Sequence, residues 1–204
     1  MLGTDTNEGD QNYLMVAEVR LPLAATEIDA RKYDEERGEA GGFAGNSAKC
    51  EITQKINHDG EVNRARYMPQ NPFVVATKTP SSDVFVFDVS KHPSTPEPGA
   101  ECRPEHRCTG HTEEGYGICW SPHKEGRLLS GSDDCSLRYW DLPTQKSVLV
   151  QKGAHADFVR AAAQSPASDE TWLTGGYDRK VRLWDVRVPG AGEDGDRRCN
   201  ALLE

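Results

Sequence analysis

Apolar residues fall along this chain in short runs broken by turn residues, a pattern of β-strands rather than long helices. Val62 to Tyr67, Phe73 to Thr77 and Val84 to Phe87 read as one set of three strands. Gly115 to Trp120, Arg127 to Ser130 and Leu137 to Trp140 read as a second set, and Phe158 to Ala163, Thr171 to Thr174 and Val181 to Trp184 as a third. A fourth strand fits before the next set begins, for example Ser147 to Gln151. Upstream, Asn12 to Leu21 and Lys49 to Ile56 read as two more strands, separated by a stretch rich in Glu, Asp, Ala and Gly that ends at Gly45 and reads as a surface loop.

The three sets superimpose. Each contains a His 29 residues before an aromatic-Asp pair: His58 with Phe87-Asp88, His111 with Trp140-Asp141, and His155 with Trp184-Asp185. Each also has a polar residue 23 positions after the His, namely Ser81, Asp134 and Asp178. The starts lie 53 and 44 residues apart, and the longer interval holds a Pro-rich insertion from His92 to Gly99 that reads as a loop.

These units resemble WD40 repeats. Gly110-His111 with Trp140-Asp141 matches the Gly-His and Trp-Asp ends of that family's repeat, and the interval is near its ~40–45 residues. The resemblance implies an all-β, partial WD40 β-propeller of about three and a half four-stranded blades. A closed propeller has ~4–8 blades, so the chain reads as a fragment. The expected division is an incomplete first blade with its acidic, Gly-rich loop over 1–57, blades over 58–110 and 111–154, an incomplete blade over 155–187, and a flexible tail over 188–204.

Spacing further predicts a buried polar network in each blade, in which the His binds a hydroxyl and the turn Asp, and the Trp indole N–H completes the chain. His111, Ser130, Asp134 and Trp140 form one such set, and His155, Thr174, Asp178 and Trp184 the next. Ser81 and Phe87 replace the Asp and Trp in the first unit, so its network is expected to be weak or absent. Ser130, His111 and Asp134 also have the composition of a hydrolase triad. They lack a Gly-x-Ser-x-Gly elbow, and the set recurs one unit later, which favours architecture over catalysis. No enzyme activity is expected.

Composition narrows the partners. The chain is 36% hydrophobic and 28% charged, with a net charge of −9. An acidic surface disfavours direct, sequence-specific nucleic-acid binding and attracts Lys/Arg-rich partners. The six cysteines form no Cys-x-x-Cys pair and read as reduced thiols. No signal peptide or membrane span is evident. Cys102, His106, Cys108 and His111 lie within ten residues, but not at a zinc-finger spacing. No metal or other cofactor is expected.

A narrower resemblance covers residues 1 to about 127. Leu2-Gly3-Thr4, Glu39 to Phe43, Ile56 to Pro72, Ala76 to Val84, and Gly110-His111 with Glu114 to Gly117 are similar to the retinoblastoma-binding histone chaperones, the chromatin assembly factor small subunits. That resemblance implies a nuclear protein binding histones H3 and H4 and chromatin-complex subunits. It also implies that Glu61, Asn63, Arg64, Glu114 and Tyr116 lie on a rim that takes basic peptides. Glu61 and Glu114 each stand three residues after a blade His, and so are expected at equivalent heights. The N-terminal helix and late-blade loop of that family's H4 site have no counterpart in this sequence.

From about Leu128, the runs Leu129 to Asp141, Ala154 to Arg160, Thr174 to Asp178 and Val181 to Arg187 look closer to WD40 subunits of the U3 small-nucleolar particle of ribosome biogenesis. Either the protein has diverged, or it joins two WD40 sequences. Phe158 replaces the rim Glu there, and Arg160 stands where Asn63 and Tyr116 stand, so Arg160 is expected to repel a basic peptide.

Overall fold

The computed structural model describes residues 1–6, 10–20, 33–34, 39–40, 49–97, 99–185, 187 and 199–203. The Gly41 to Gly45 segment, read as a loop, and the Pro189 to Asp196 segment, read as part of the tail, lie outside the described residues.

Strands β1 (Leu2–Gly3) and β2 (Asn12–Arg20) pair antiparallel. A short separate ribbon forms from β3 (Tyr33–Asp34) and β4 (Glu39–Ala40), and β5 (Lys49–His58) completes the first sheet in the order β1-β2-β5. The second sheet runs β6 (Arg64–Met68), β7 (Asn71–Lys78), β8 (Val84–Asp88), β9 (His106–Cys108). The third runs β10 (Gly117–Trp120), β11 (Arg127–Gly131), β12 (Leu137–Asp141), β13 (Lys146–Gln151). The fourth runs β14 (Val159–Gln164), β15 (Thr171–Gly176), β16 (Val181–Asp185), β17 (Cys199–Leu203). Each of these three is a four-stranded antiparallel meander.

Equivalent first strands sit side by side, β6 against β10 and β10 against β14. This places the sheets radially, as blades of a β-propeller, with β6, β10 and β14 innermost. The arrangement explains why β8 is apolar without alternation. In β8, Val84, Phe85, Val86 and Phe87 are all buried. Phe85 and Phe87 pack with Val75, Leu14 and Ile56 toward the first sheet. Val84 and Val86 pack with Ala76, Ile118, Trp120, Leu128 and Trp140 toward the third. Leu129 and Leu137 then pack with Val159, Trp172 and Trp184 of the fourth. A strand covered on both faces needs apolar residues at successive positions.

Glycine permits the closest approach between blades. A Cβ on Gly131 would lie 2.6 Å from Cγ1 of Val159. Polar ties cross the same seams. Trp120 Nε1 donates to the Arg66 carbonyl at 2.8 Å, and Gln70 Nε2 donates to the Ser121 carbonyl at 2.9 Å.

One expectation needs correction. The 188–204 segment is not wholly a tail, because Cys199–Leu203 pairs with β16 as a fourth strand. Without it, β16 would leave a row of backbone donors and acceptors open, and this short run follows a Gly/Asp-rich sequence whose composition does not suggest a strand. One 3₁₀ turn, Val89–Lys91, capped by Asp88, leads from β8 into the Pro-rich insertion of His92 to Gly99. The insertion also covers the edge of β5, where the Lys55 N–H donates to the Ser94 carbonyl at 2.9 Å. Among the described residues, no helix is long and apolar enough to cross a membrane.

Candidate functional site

The blade His residues organise the rim. In the third sheet, His111 Nδ1 lies 2.9 Å from Asp134 Oδ2, and Nε2 lies 2.8 Å from Ser130 Oγ. Trp140 Nε1 donates to the same Ser130 Oγ at 2.8 Å. One tautomer satisfies every atom: His111 donates from Nδ1 to the carboxylate, Ser130 donates to Nε2, and the Ser130 oxygen accepts from the indole. The fourth sheet repeats this, with His155 Nδ1 2.9 Å from Asp178, Nε2 2.8 Å from Thr174 Oγ1, and Trp184 Nε1 donating to Thr174 Oγ1 at 2.7 Å. Burial pushes the Asp134 carboxyl up, but hydrogen bonds from His111 and Ser136 outweigh it and hold the carboxyl well below the usual carboxylate range. Ser130 is fully buried. A hydroxyl shut away from solvent and bonded on both sides is placed to fix a turn, not to attack a substrate.

The first unit keeps half of this network. His58 Nε2 lies 2.9 Å from Thr77 Oγ1, while Nδ1 donates to the Gly60 carbonyl at 2.9 Å in place of a carboxylate. Ser81 turns aside to Thr79, and Phe87 packs at a tilt near the His58 ring without a donor. Thr77 was not singled out from the sequence, although it stands 19 residues after its His, as Ser130 and Thr174 do. Ser136, which donates to Asp134 at 2.6 Å, was missed as well.

Above these networks the rim carries carboxylates. Glu61 and Glu114 line one open groove of about 580 Å³, together with Tyr116, Thr112, Glu113 and the Pro80-Ser81-Ser82 turn. The negative charge of Asp5, beside Glu61, raises the Glu61 pKa above its ordinary value, and Glu114 adds to the effect. Asn63 bridges the two blades, its Nδ2 donating to Glu114 Oε2 at 2.9 Å and to the Gly115 carbonyl at 3.3 Å. Arg64, the first residue of β6, is half-buried and does not line this groove.

A lysine unnoticed in the sequence lies beneath. Lys78 is fully buried, its Nζ donating to the Ser82 carbonyl at 3.0 Å. Burial lowers its pKa to about 8, against the pull of Asp134, Asp83, Asp133 and Glu114. The carbonyl it holds belongs to a residue with φ of 72°, a left-handed conformation unusual for serine.

Arg160 behaves differently from the expectation that it repels cations. Its Nη2 lies 3.0 Å from Asp133 Oδ2. Its guanidinium stacks 4.3 Å from the Tyr116 ring centroid, 4.9 Å from Tyr177 and 5.4 Å from Phe158. The charge is neutralised by a carboxylate of the preceding blade, a pairing that sequence spacing does not reveal. A positional rule emerges from the geometry. The residues five positions after His58 and His111 reach across to the next blade, Asn63 to Glu114 and Tyr116 to Arg160.

Among the described residues, no three His, Cys, Asp or Glu side chains converge as a metal-binding group. Cys102 and Cys108 are buried, and burial pushes their thiols up to about 11 and about 12, where little nucleophilic thiolate forms.

Residues 102–141 and 146–185 match the family of WD domain, G-beta repeats. Each match spans the outermost strand of one sheet and the three inner strands of the next, β9 to β12 and then β13 to β16. The sequence repeat is therefore offset by one strand from the blade, and each repeat staples two neighbouring blades together.

Proposed function

Since residues 102–185 carry two WD40 repeats, a unit that serves protein–protein interaction, we propose that this chain is a chromatin scaffold that holds basic segments of histones H3 and H4 on the rim of its blades. One observation carries the reading: Glu61 and Glu114, from successive blades, face a single open groove, with Asn63 fixing the orientation of Glu114. Carboxylates on adjacent blades accept charge-assisted hydrogen bonds from Lys or Arg. Tyr116 lines the same groove and adds ring surface for the stem of a bound side chain. The net charge of −9 favours encounter with a basic partner. Such a role would place the protein in the nucleus, within chromatin-assembly or chromatin-modifying complexes.

A second reading, a scaffold of ribosome-biogenesis particles, draws on the fourth sheet, where Phe158 and Arg160 interrupt the acidic rim. Capture of purified H3–H4 by the immobilised chain separates the two. Glu61→Lys with Glu114→Lys is expected to abolish that capture. Undiminished capture by the double variant, or recovery of the chain with nucleolar particles and not with histones, would defeat the histone reading.

A further inference from the structure

Tyr116 joins the acidic groove to a second cluster of side chains. That ring is shared: one side lines the groove with Glu61 and Glu114, and Arg160 packs over it at 4.3 Å. Beyond Arg160 lie two further rings, Phe158 and Tyr177, with centroids 5.9 Å apart and planes tilted by 37°. Tyr177 is 59% exposed and Phe158 38% exposed. Arg160 contacts both, so the rings stand on a cation that is itself anchored to Asp133 at 3.0 Å. The result is an open aromatic shelf packed on an anchored cation, which also contacts Tyr116 of the negatively charged groove.

The chemistry of the shelf selects its occupant. A second cation there would face rings whose attraction is already engaged by Arg160. Asp133 offers no compensation, since Arg160 neutralises it. An acidic side chain would enter the field of Glu61, Glu113, Glu114 and Asp5. An apolar side chain meets neither cost, and it covers ring surface otherwise left in water. The rings are ordered in advance, so little freedom is lost when the shelf is covered.

We propose that the rim binds a two-part segment, with basic residues over Glu61 and Glu114 followed, a few residues away, by an apolar side chain seated on Phe158 and Tyr177. This rests on the histone reading for its basic half, and adds a specificity site for the other half.

The test uses the full chain and fluorescence anisotropy with labelled peptides. Each peptide carries an Arg-Lys-Arg block, a Gly-Gly spacer and a variable residue, made in both chain directions. Phenylalanine at the variable position is expected to bind on the order of five-fold tighter than alanine, lysine or glutamate in one of the two directions. Tyr177→Ser is expected to erase that ratio while leaving the alanine peptide's affinity unchanged. Circular dichroism serves as the folding check, and Phe158→Ser gives a second variant. Equal affinities for the phenylalanine and alanine peptides, or a ratio unchanged in both variants, would overturn the proposal. Glu61→Gln with Glu114→Gln is expected to weaken every peptide. If it weakens none, the basic-groove reading fails and this extension fails with it; if it weakens all but no phenylalanine preference exists, only the extension fails.

Discussion

The indole N–H of Trp120 donates to the main-chain carbonyl of Arg66 at 2.8 Å, joining the innermost strands of two successive blades. Trp120 is buried in the apolar cluster between those blades, so the carbonyl it serves sits at a dry seam. Trp120→Phe keeps most of the packing and leaves that carbonyl without its donor. Stability should fall by about 1–2 kcal/mol, read from the midpoint of urea unfolding.

A larger loss is expected inside the third blade. Ser130 serves two buried groups at once, His111 Nε2 and Trp140 Nε1. Ser130→Ala strands both, and should cost about 2–3 kcal/mol. In the second sheet Thr77 serves only His58, because Phe87 has no donor. Thr77→Val should therefore cost about 1 kcal/mol. Equal losses in the two variants would contradict the shared-hydroxyl account.

Lys78 predicts an alkaline signature. Its folded pKa is lowered to about 8, against ~10.4 in an unfolded chain. Between those values the unfolded chain binds the extra proton, so stability rises with pH across that window, and the burial penalty is present in full below pH 8. Denaturant midpoints measured from pH 7 to 10 should climb in the wild type and stay flatter in Lys78→Met. Parallel profiles would show that Lys78 does not titrate in this way.

His58 predicts an acid signature. Burial lowers its pKa, and the Gly60 carbonyl only partly offsets this. Its stabilising neutral form is fully available above the unfolded value of ~6.5 and is lost as pH falls from there through the folded pKa. His58→Gln should show a shallower fall in unfolding midpoint between pH 7.5 and 5.5 than the wild type. A slope identical to wild type would rule His58 out as a contributor.

Much of this architecture is visible in the residues before any coordinates. The spacing from His to Trp-Asp marks out His111 with Asp134 and Trp140, and every strand of the second to fourth sheets except β9 and β17 coincides with an apolar run. These features are legible because they repeat at fixed intervals. What escaped depends on contacts between units. Asp133 and Arg160 stand in different blades, so only the fold shows that one neutralises the other. Lys78 carries a charge at a position where a strand pattern gives no hint of complete burial. The β17 strand follows a Gly/Asp-rich stretch whose composition argues for loop. Of the five residues assigned to the rim by resemblance, Glu61, Glu114 and Tyr116 line the groove, Asn63 joins it through Glu114, and Arg64 does not.

Each His-hydroxyl-Trp network closes within a stretch of about thirty residues and inside one sheet. The polar bonds that span the seams, such as Trp120 to Arg66 and Arg160 to Asp133, lie outside these sets, so a sheet that parts from its neighbour keeps its own internal set. Amide protons should then exchange with solvent in sheet-sized blocks, each with its own protection level. The seam tied by Trp120 should be among the last to open.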